Sequence, residues 1–148
     1  MRYDFGGAEQ PLDDTITIVD ILDEPKYRKE TNKFIFGDLN TVLDLPEKAT
    51  VINISKVLRY IIDLDKNFET YKNIIKNIDS NLALGGYIRL FDYEEYVLPI
   101  VDILINPVGY EETFEDIIED YKIIEFKRCN YYEESKKWDI VITLQKGQ

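Results

Sequence analysis

The sequence predicts one α/β domain built on a mostly parallel sheet of seven strands, with an antiparallel hairpin at the C-terminal end. Three observations lead to that class. Short β-branched runs alternate with stretches of helical periodicity, the order expected when parallel strands are joined by crossover helices. Runs such as Thr15–Ile21 (TITIVDI) are too continuously apolar for a strand with one wet face, so helices should cover both faces of the sheet. The last two apolar runs are separated only by a polar stretch, as in a long hairpin.

The strands follow in order. Arg2–Phe5 runs into Gly6-Gly7, Thr15–Ile21 ends on acids, and Lys33–Phe36 stops at Gly37. Thr50–Ile54 follows the turn-like Leu45-Pro46-Glu47, and Tyr87–Phe91 follows Gly85-Gly86. Tyr121–Lys127 and Trp138–Leu144 flank the polar stretch Cys129–Lys137 and form the hairpin. Among the helices, Phe68–Ile78 is the clearest, because Phe68, Tyr71, Ile74, Ile75 and Ile78 fall on one stripe. It should start near Asp65 as N-cap and end near Leu84, ahead of the paired glycines. Tyr93–Ile105 and Thr113–Asp120 are further helical stretches, separated by Pro107 and Gly109. A length of 148 residues with 45% hydrophobic content supports a single core, so residues 1–148 are read as one domain.

Composition removes several functions. Eighteen Lys and Arg stand against 29 Asp and Glu, and the formal charge of −11 opposes a phosphate backbone, which disfavours nucleic acid as a partner. Histidine is absent and Cys129 is the lone cysteine, so intramolecular disulfides, Cys/His metal centres, His-based triads and Cys-His nucleophiles are excluded. In the distal hairpin Cys129 reads as a small apolar residue. The start MRYDFGG has no leader pattern and no run approaches 18 apolar residues, so the expected location is cytoplasmic, with no membrane partner and no metal.

In a doubly wound sheet the ligand lies beyond the carboxyl ends of the strands, and here those ends carry acids and glycines. Asp4-Phe5-Gly6-Gly7-Ala8, Asp20 closing TITIVDI, Gly37-Asp38-Leu39, Val51–Ile62 and Leu84-Gly85-Gly86-Tyr87-Ile88 occur in that order. Together they resemble the class I S-adenosylmethionine-dependent methyltransferases, a Rossmann-like fold. The resemblance implies S-adenosylmethionine as cofactor. Asp4, Gly6 and Gly7 would cradle its methionine part, Asp20 would accept from the ribose hydroxyls, and Asp38 and Leu39 would hold the adenine. Asn53 at the fourth strand would complete the cofactor site; Ser55, Lys56, Asp92 and Tyr93 would face the methyl acceptor.

The sequence departs from that pattern at three points. Ala8 stands at the third glycine position, the first strand starts at residue two with no helices before it, and Ala8–Asp14 with Pro11 is short for a crossover helix. The expectation is a pocket more open to water than usual, covered by a second copy or another protein, hence a homodimer or hetero-complex. Neither the Asn/Asp-Pro-Pro-Tyr signature nor a Pro-Cys nucleophile of nucleic-acid methylation is present. Two functions fit: a methyltransferase acting on a small molecule or protein, and a non-catalytic methyltransferase-like interaction or regulatory subunit.

Overall fold

The computed structural model describes residues 1–5, 17–20, 34–37, 39, 41, 43–62, 68–107, 114, 117 and 120–147. In chain order the elements are β1 (Arg2–Phe5), β2 (Thr17–Asp20), β3 (Phe34–Phe36), β4 (Ala49–Ser55), α1 (Leu58–Ile61), α2 (Phe68–Asn81), β5 (Leu82–Tyr93), α3 (Glu94–Ile105), β6 (Tyr121–Tyr132) and β7 (Lys137–Lys146). They form an α/β, Rossmann-like structure around one seven-stranded sheet of order β3-β2-β1-β4-β5-β7-β6. The pairs β1–β2, β2–β3, β1–β4 and β4–β5 are parallel. Strand β7 runs antiparallel to both β5 and β6 and separates them.

Alternation of side chains along each strand makes the two faces of the sheet unlike. On one face Tyr3 pairs Ile52, which pairs Ile88, and Phe5 pairs Ile54, which pairs Leu90; Leu144 and Ile142 extend these rows onto β7, and all are buried. Helices α2 and α3 pack there. The stripe of α2 puts Tyr71, Ile74, Ile75 and Ile78 in the core, and α3 contributes Val97, Ile100, Ile103 and Leu104. Glu94 and Glu95 in the first turn of α3 lie where the helix dipole favours negative charge.

Three boundaries differ from the sequence expectation. The paired glycines lie within β5, which already starts at Leu82, and α2 stops at Asn81 rather than near Leu84. Pairing with β4 slips between Ala49 and Val51 beside that glycine pair. Gly85 has φ 78, and a Cβ on Gly86 would sit 2.8 Å from the Ala83 carbonyl oxygen and from Leu82 Cδ1. The glycines therefore make a bulge inside a strand instead of a turn before it. The hairpin is also longer than read, because most of Cys129–Lys137 is strand and only residues 133–136 turn. A strand at the sheet edge can expose polar side chains on both faces, so polarity did not mark a loop there.

Asp65, Gly109 and the short crossover at Ala8–Asp14 lie outside the described residues. Of the helical stretch Thr113–Asp120 the described residues are Phe114, Ile117 and Asp120; Phe114 and Ile117 are buried, and the Ile117 N–H donates to the Phe114 carbonyl at 3.0 Å. Among the described residues no helix is long and apolar enough to cross a membrane.

Candidate functional site

The strand order reverses between β1 and β4. From β1 the chain moves outward to β2 and β3, then returns to the other side of β1 with β4. Such a reversal leaves a crevice beyond the carboxyl ends of the central strands, since the connections leave in opposite directions. Phe5 pairs Val19 on one side and Ile54 on the other, so Asp20 and Ser55 each stand one residue further along, flanking the end of β1. Two strand spacings, about 10 Å, separate them.

Register brings the polar residues of these strands into one row. Asp4 pairs Asn53, Asn53 pairs Arg89, Arg89 pairs Thr143, and Thr143 pairs Glu125. The Arg89 guanidinium donates to Asn53 Oδ1 at 3.0 Å, and Asn53 Nδ2 donates to Asp4 Oδ1 at 3.1 Å. Asp4 and Asn53 are both about 1% exposed. A buried carboxylate needs donors, and the amide of Asn53, polarised from behind by Arg89, is one of them. The row fixes the Asp4 carboxylate one residue before the end of β1.

The third strand opens into a loop held from below. Asn77 on α2 is fully buried and uses both ends of its amide: Nδ2 donates to the carbonyls of Leu39 at 3.3 Å and Thr41 at 2.7 Å, and Oδ1 accepts from the Leu43 N–H at 2.9 Å. Leu39 is buried by this arrangement. At Gly37 a Cβ would meet Leu43 Cδ2 at 3.0 Å and Val19 Cγ1 at 3.1 Å, so the backbone lies close against β2 there.

Around the carboxyl ends of β4 and β5 lies an ionic and aromatic cluster. Arg59 on α1 donates through Nε to Asp92 Oδ1 at 2.8 Å and through Nη2 to Asp139 Oδ1 at 3.1 Å, and both carboxylates are fully buried. Its backbone N–H points to the second Asp92 oxygen at 3.3 Å, while the Tyr93 N–H donates to Asp92 Oδ1 at 2.8 Å. Burial works against the charge on Arg59, yet the attraction of Asp92, then of Tyr93 and Asp139, overrides it and raises the guanidinium above its ordinary pKa. The guanidinium carbon lies 3.8 Å above the Tyr93 ring, and Tyr132 meets that ring edge-on at 5.6 Å. The Tyr132 hydroxyl donates to Asp139 Oδ2 at 2.7 Å, a bond that holds the phenol protonated and raises its pKa. Lys56 precedes the cluster in the left-handed region (φ 56), its N–H bonded to the Phe91 carbonyl at 2.7 Å and its Nζ 5.1 Å from the Phe91 ring centre.

Of the sequence-predicted residues, the structure joins Asp4 to Asn53 directly, sets Ser55, Asp92 and Tyr93 at the ends of β4 and β5, and places Lys56 just after β4. Asp20 ends β2 as read, and Leu39 sits in the loop after β3. Gly6, Gly7 and Asp38 lie outside the described residues. Sequence reasoning missed Arg59, Arg89, Asn77, Tyr132 and Asp139. Arg59 had one legible signal, as the lone cation of α1 next to an acid-tipped strand; the others depend on register. Among the described residues no cluster of His, Cys, Asp or Glu is arranged to hold a metal ion.

No protein-family model matches the sequence, and no curated protein matches it. Solved structures do match in shape. An N-methyltransferase, NodS, from Bradyrhizobium japonicum WM9 in complex with S-adenosyl-L-homocysteine superposes with a TM-score of 0.64 at 13% identity, over 99% of this chain and 78% of that one. An S-adenosylmethionine-dependent methyltransferase from Clostridium acetobutylicum ATCC 824 gives 0.62 at 13%, covering 99% and 84%. The 1,6-didemethyltoxoflavin-N1-methyltransferase of Burkholderia thailandensis, with 1,6-didemethyltoxoflavin and S-adenosylhomocysteine bound, gives 0.61 at 12%, covering 99% and 71%. The chain therefore has the fold of the class I S-adenosylmethionine-dependent methyltransferases.

Proposed function

We propose that this single domain binds S-adenosylmethionine at the reversal between β1 and β4 and transfers its methyl group to a small-molecule or protein acceptor. The observation that carries the reading is the buried Asp4–Asn53 pair at that reversal, flanked by Asp20 and Ser55. The donor set fits the cofactor. A fixed carboxylate suits the cofactor's amino group, a strand-end acid suits a pair of ribose hydroxyls, and the Gly37-Asp38-Leu39 segment would hold the purine, as the family resemblance implies. Gly6 and Gly7 leave room for the backbone to approach the ligand. The solved neighbours that carry S-adenosylhomocysteine share the fold in which this crevice lies.

When bound, the cofactor supplies an already activated sulfonium methyl, so the protein's task is to bring a nucleophile into line with it. The acceptor end is built by Ser55, Lys56, Tyr93 and the Arg59 cluster. Arg59 ties α1 to β5 and β7 through Asp92 and Asp139, so those carboxylates shape the acceptor end through the guanidinium they hold. Neighbours act on a glycopeptide in one case and on 1,6-didemethyltoxoflavin in another, which supports the same breadth of acceptor here.

Isothermal titration with S-adenosylhomocysteine tests the binding step. Wild type should bind, and Asp20→Ala should weaken binding about ten- to a hundredfold, the loss of hydrogen bonds of roughly 1.5–3 kcal/mol to a charged group. Absence of binding by folded wild type at millimolar ligand would defeat the proposal. Binding without methyl transfer to any amine or hydroxyl acceptor tried would favour the non-catalytic subunit.

A further inference from the structure

Strand β6 closes one side of the sheet, and among the described residues no strand lies beside its far edge. It carries four large apolar side chains in solvent: Ile123 (44% exposed), Ile124 (52%), Phe126 (54%) and Tyr131 (47%). Register shifts at Ile123/Glu125 and Arg128/Asn130 divide the strand into three regular stretches, of which Glu125–Arg128 is the central and longest. Charge is also distributed unevenly along the chain. Residues 121–147 hold six Lys and Arg against four Asp and Glu, whereas residues 1–120 hold 12 against 25. The β6–β7 end is thus where two copies of this acidic protein repel each other least.

We propose that β6 is a dimer interface, pairing antiparallel with β6 of a second copy about a two-fold axis at Phe126 and joining the two sheets into one. Symmetry and charge select that register. A two-fold axis normal to the sheet keeps each face on its own side, so a residue is opposed by one an even number of positions away or by itself. Centring on Glu125 opposes two glutamates, and centring on Lys127 opposes two lysines. Centring on Phe126 places Glu125 of each copy opposite Lys127 of the other and the two Phe126 rings against each other. Glu125 and Lys127 already share a face, as their pairing with Thr143 and Val141 shows. Opposite charges directly across a strand pair stabilise it and like charges oppose it. The bulges at either end keep the edge from sliding into other registers.

Light scattering and sedimentation of full-length protein test this with Glu125→Lys and Lys127→Glu. Both residues are exposed, so neither change should disturb the fold, which circular dichroism checks. Wild type should be a dimer. Each variant alone should self-associate at least tenfold more weakly, because the first opposes lysines and the second opposes glutamates at two positions. Mixed one to one, the variants should form a heterodimer, since every lysine then meets a glutamate. A wild-type protein that stays monomeric as concentration rises overturns the proposal and leaves the edge to a strand of another protein. A dimer that survives both single changes, or variants that fail to recombine, overturns it as well.

Discussion

Tyr71 on α2 is buried, and its hydroxyl has no hydrogen-bond partner among the described residues. Burial, with the nearby Tyr96 and Glu95 adding to it, pushes its pKa up to about 12 from 10.0. A phenol whose folded pKa is raised contributes stability that is intact below the unfolded value and is lost as pH rises through the folded one. Wild type should therefore lose stability between pH 10 and about 12. Tyr71→Phe should show a shallower fall in urea titrations across that window, and at neutral pH should be no less stable, because an unpartnered hydroxyl costs more to bury than a ring carbon. Arg59 behaves oppositely. Removing it leaves Asp92 and Asp139 buried without their shared cation, and Arg59→Ala should cost about 3–5 kcal/mol in the same titration. A loss under 1 kcal/mol would mean that water reaches the two acids. These roles were hidden in the sequence because the partners of Arg59 lie 33 and 80 positions away.

The elements explain which parts of the chain announced themselves. Strand ends punctuated by glycine or an acid, such as Phe5 before Gly6 and Asp20 at the end of β2, were legible because breakers act locally. The stripe on α2 was legible for the same reason, since 3.6-residue periodicity is a property of neighbours in sequence. Gly85-Gly86 was misread because a glycine pair at a turn and one at a bulge look alike until the partner strand is known. The two positions should differ on substitution. Gly85→Ala faces only the strain of a positive φ, about 1 kcal/mol, whereas Gly86→Ala drives a Cβ into the Ala83 and Thr50 carbonyls and should cost more. Equal melting temperatures for the two variants would remove the bulge from this account. Asn77 has the same long-range character as Arg59. Asn77→Ala unpairs the Leu43 N–H and the carbonyls of Leu39 and Thr41, so it should lose roughly 1–3 kcal/mol and weaken cofactor binding as well. Unchanged affinity in a destabilised variant would show that the loop after β3 stays clear of the ligand.

At the scale of the whole molecule, strand order decides where a ligand can go. The same seven strands with β4 added beyond β3 would have no reversal, and Asp4 and Asn53 would not meet. Order was legible only through resemblance, from acids and glycines arriving in sequence; composition and periodicity reached an acidic α/β chain and stopped there. The polar row from Asp4 through Asn53 to Arg89 was not legible at all, because each step crosses from one strand to the next. The most direct test of the central claim is a crystal structure of the protein grown with S-adenosylhomocysteine. The ligand should lie at the carboxyl ends of β1, β2 and β4, its ribose hydroxyls on the Asp20 carboxylate and its amino group on the side of Asp4. Ligand seated elsewhere, or a crevice between β1 and β4 filled by the protein's own side chains, would contradict it.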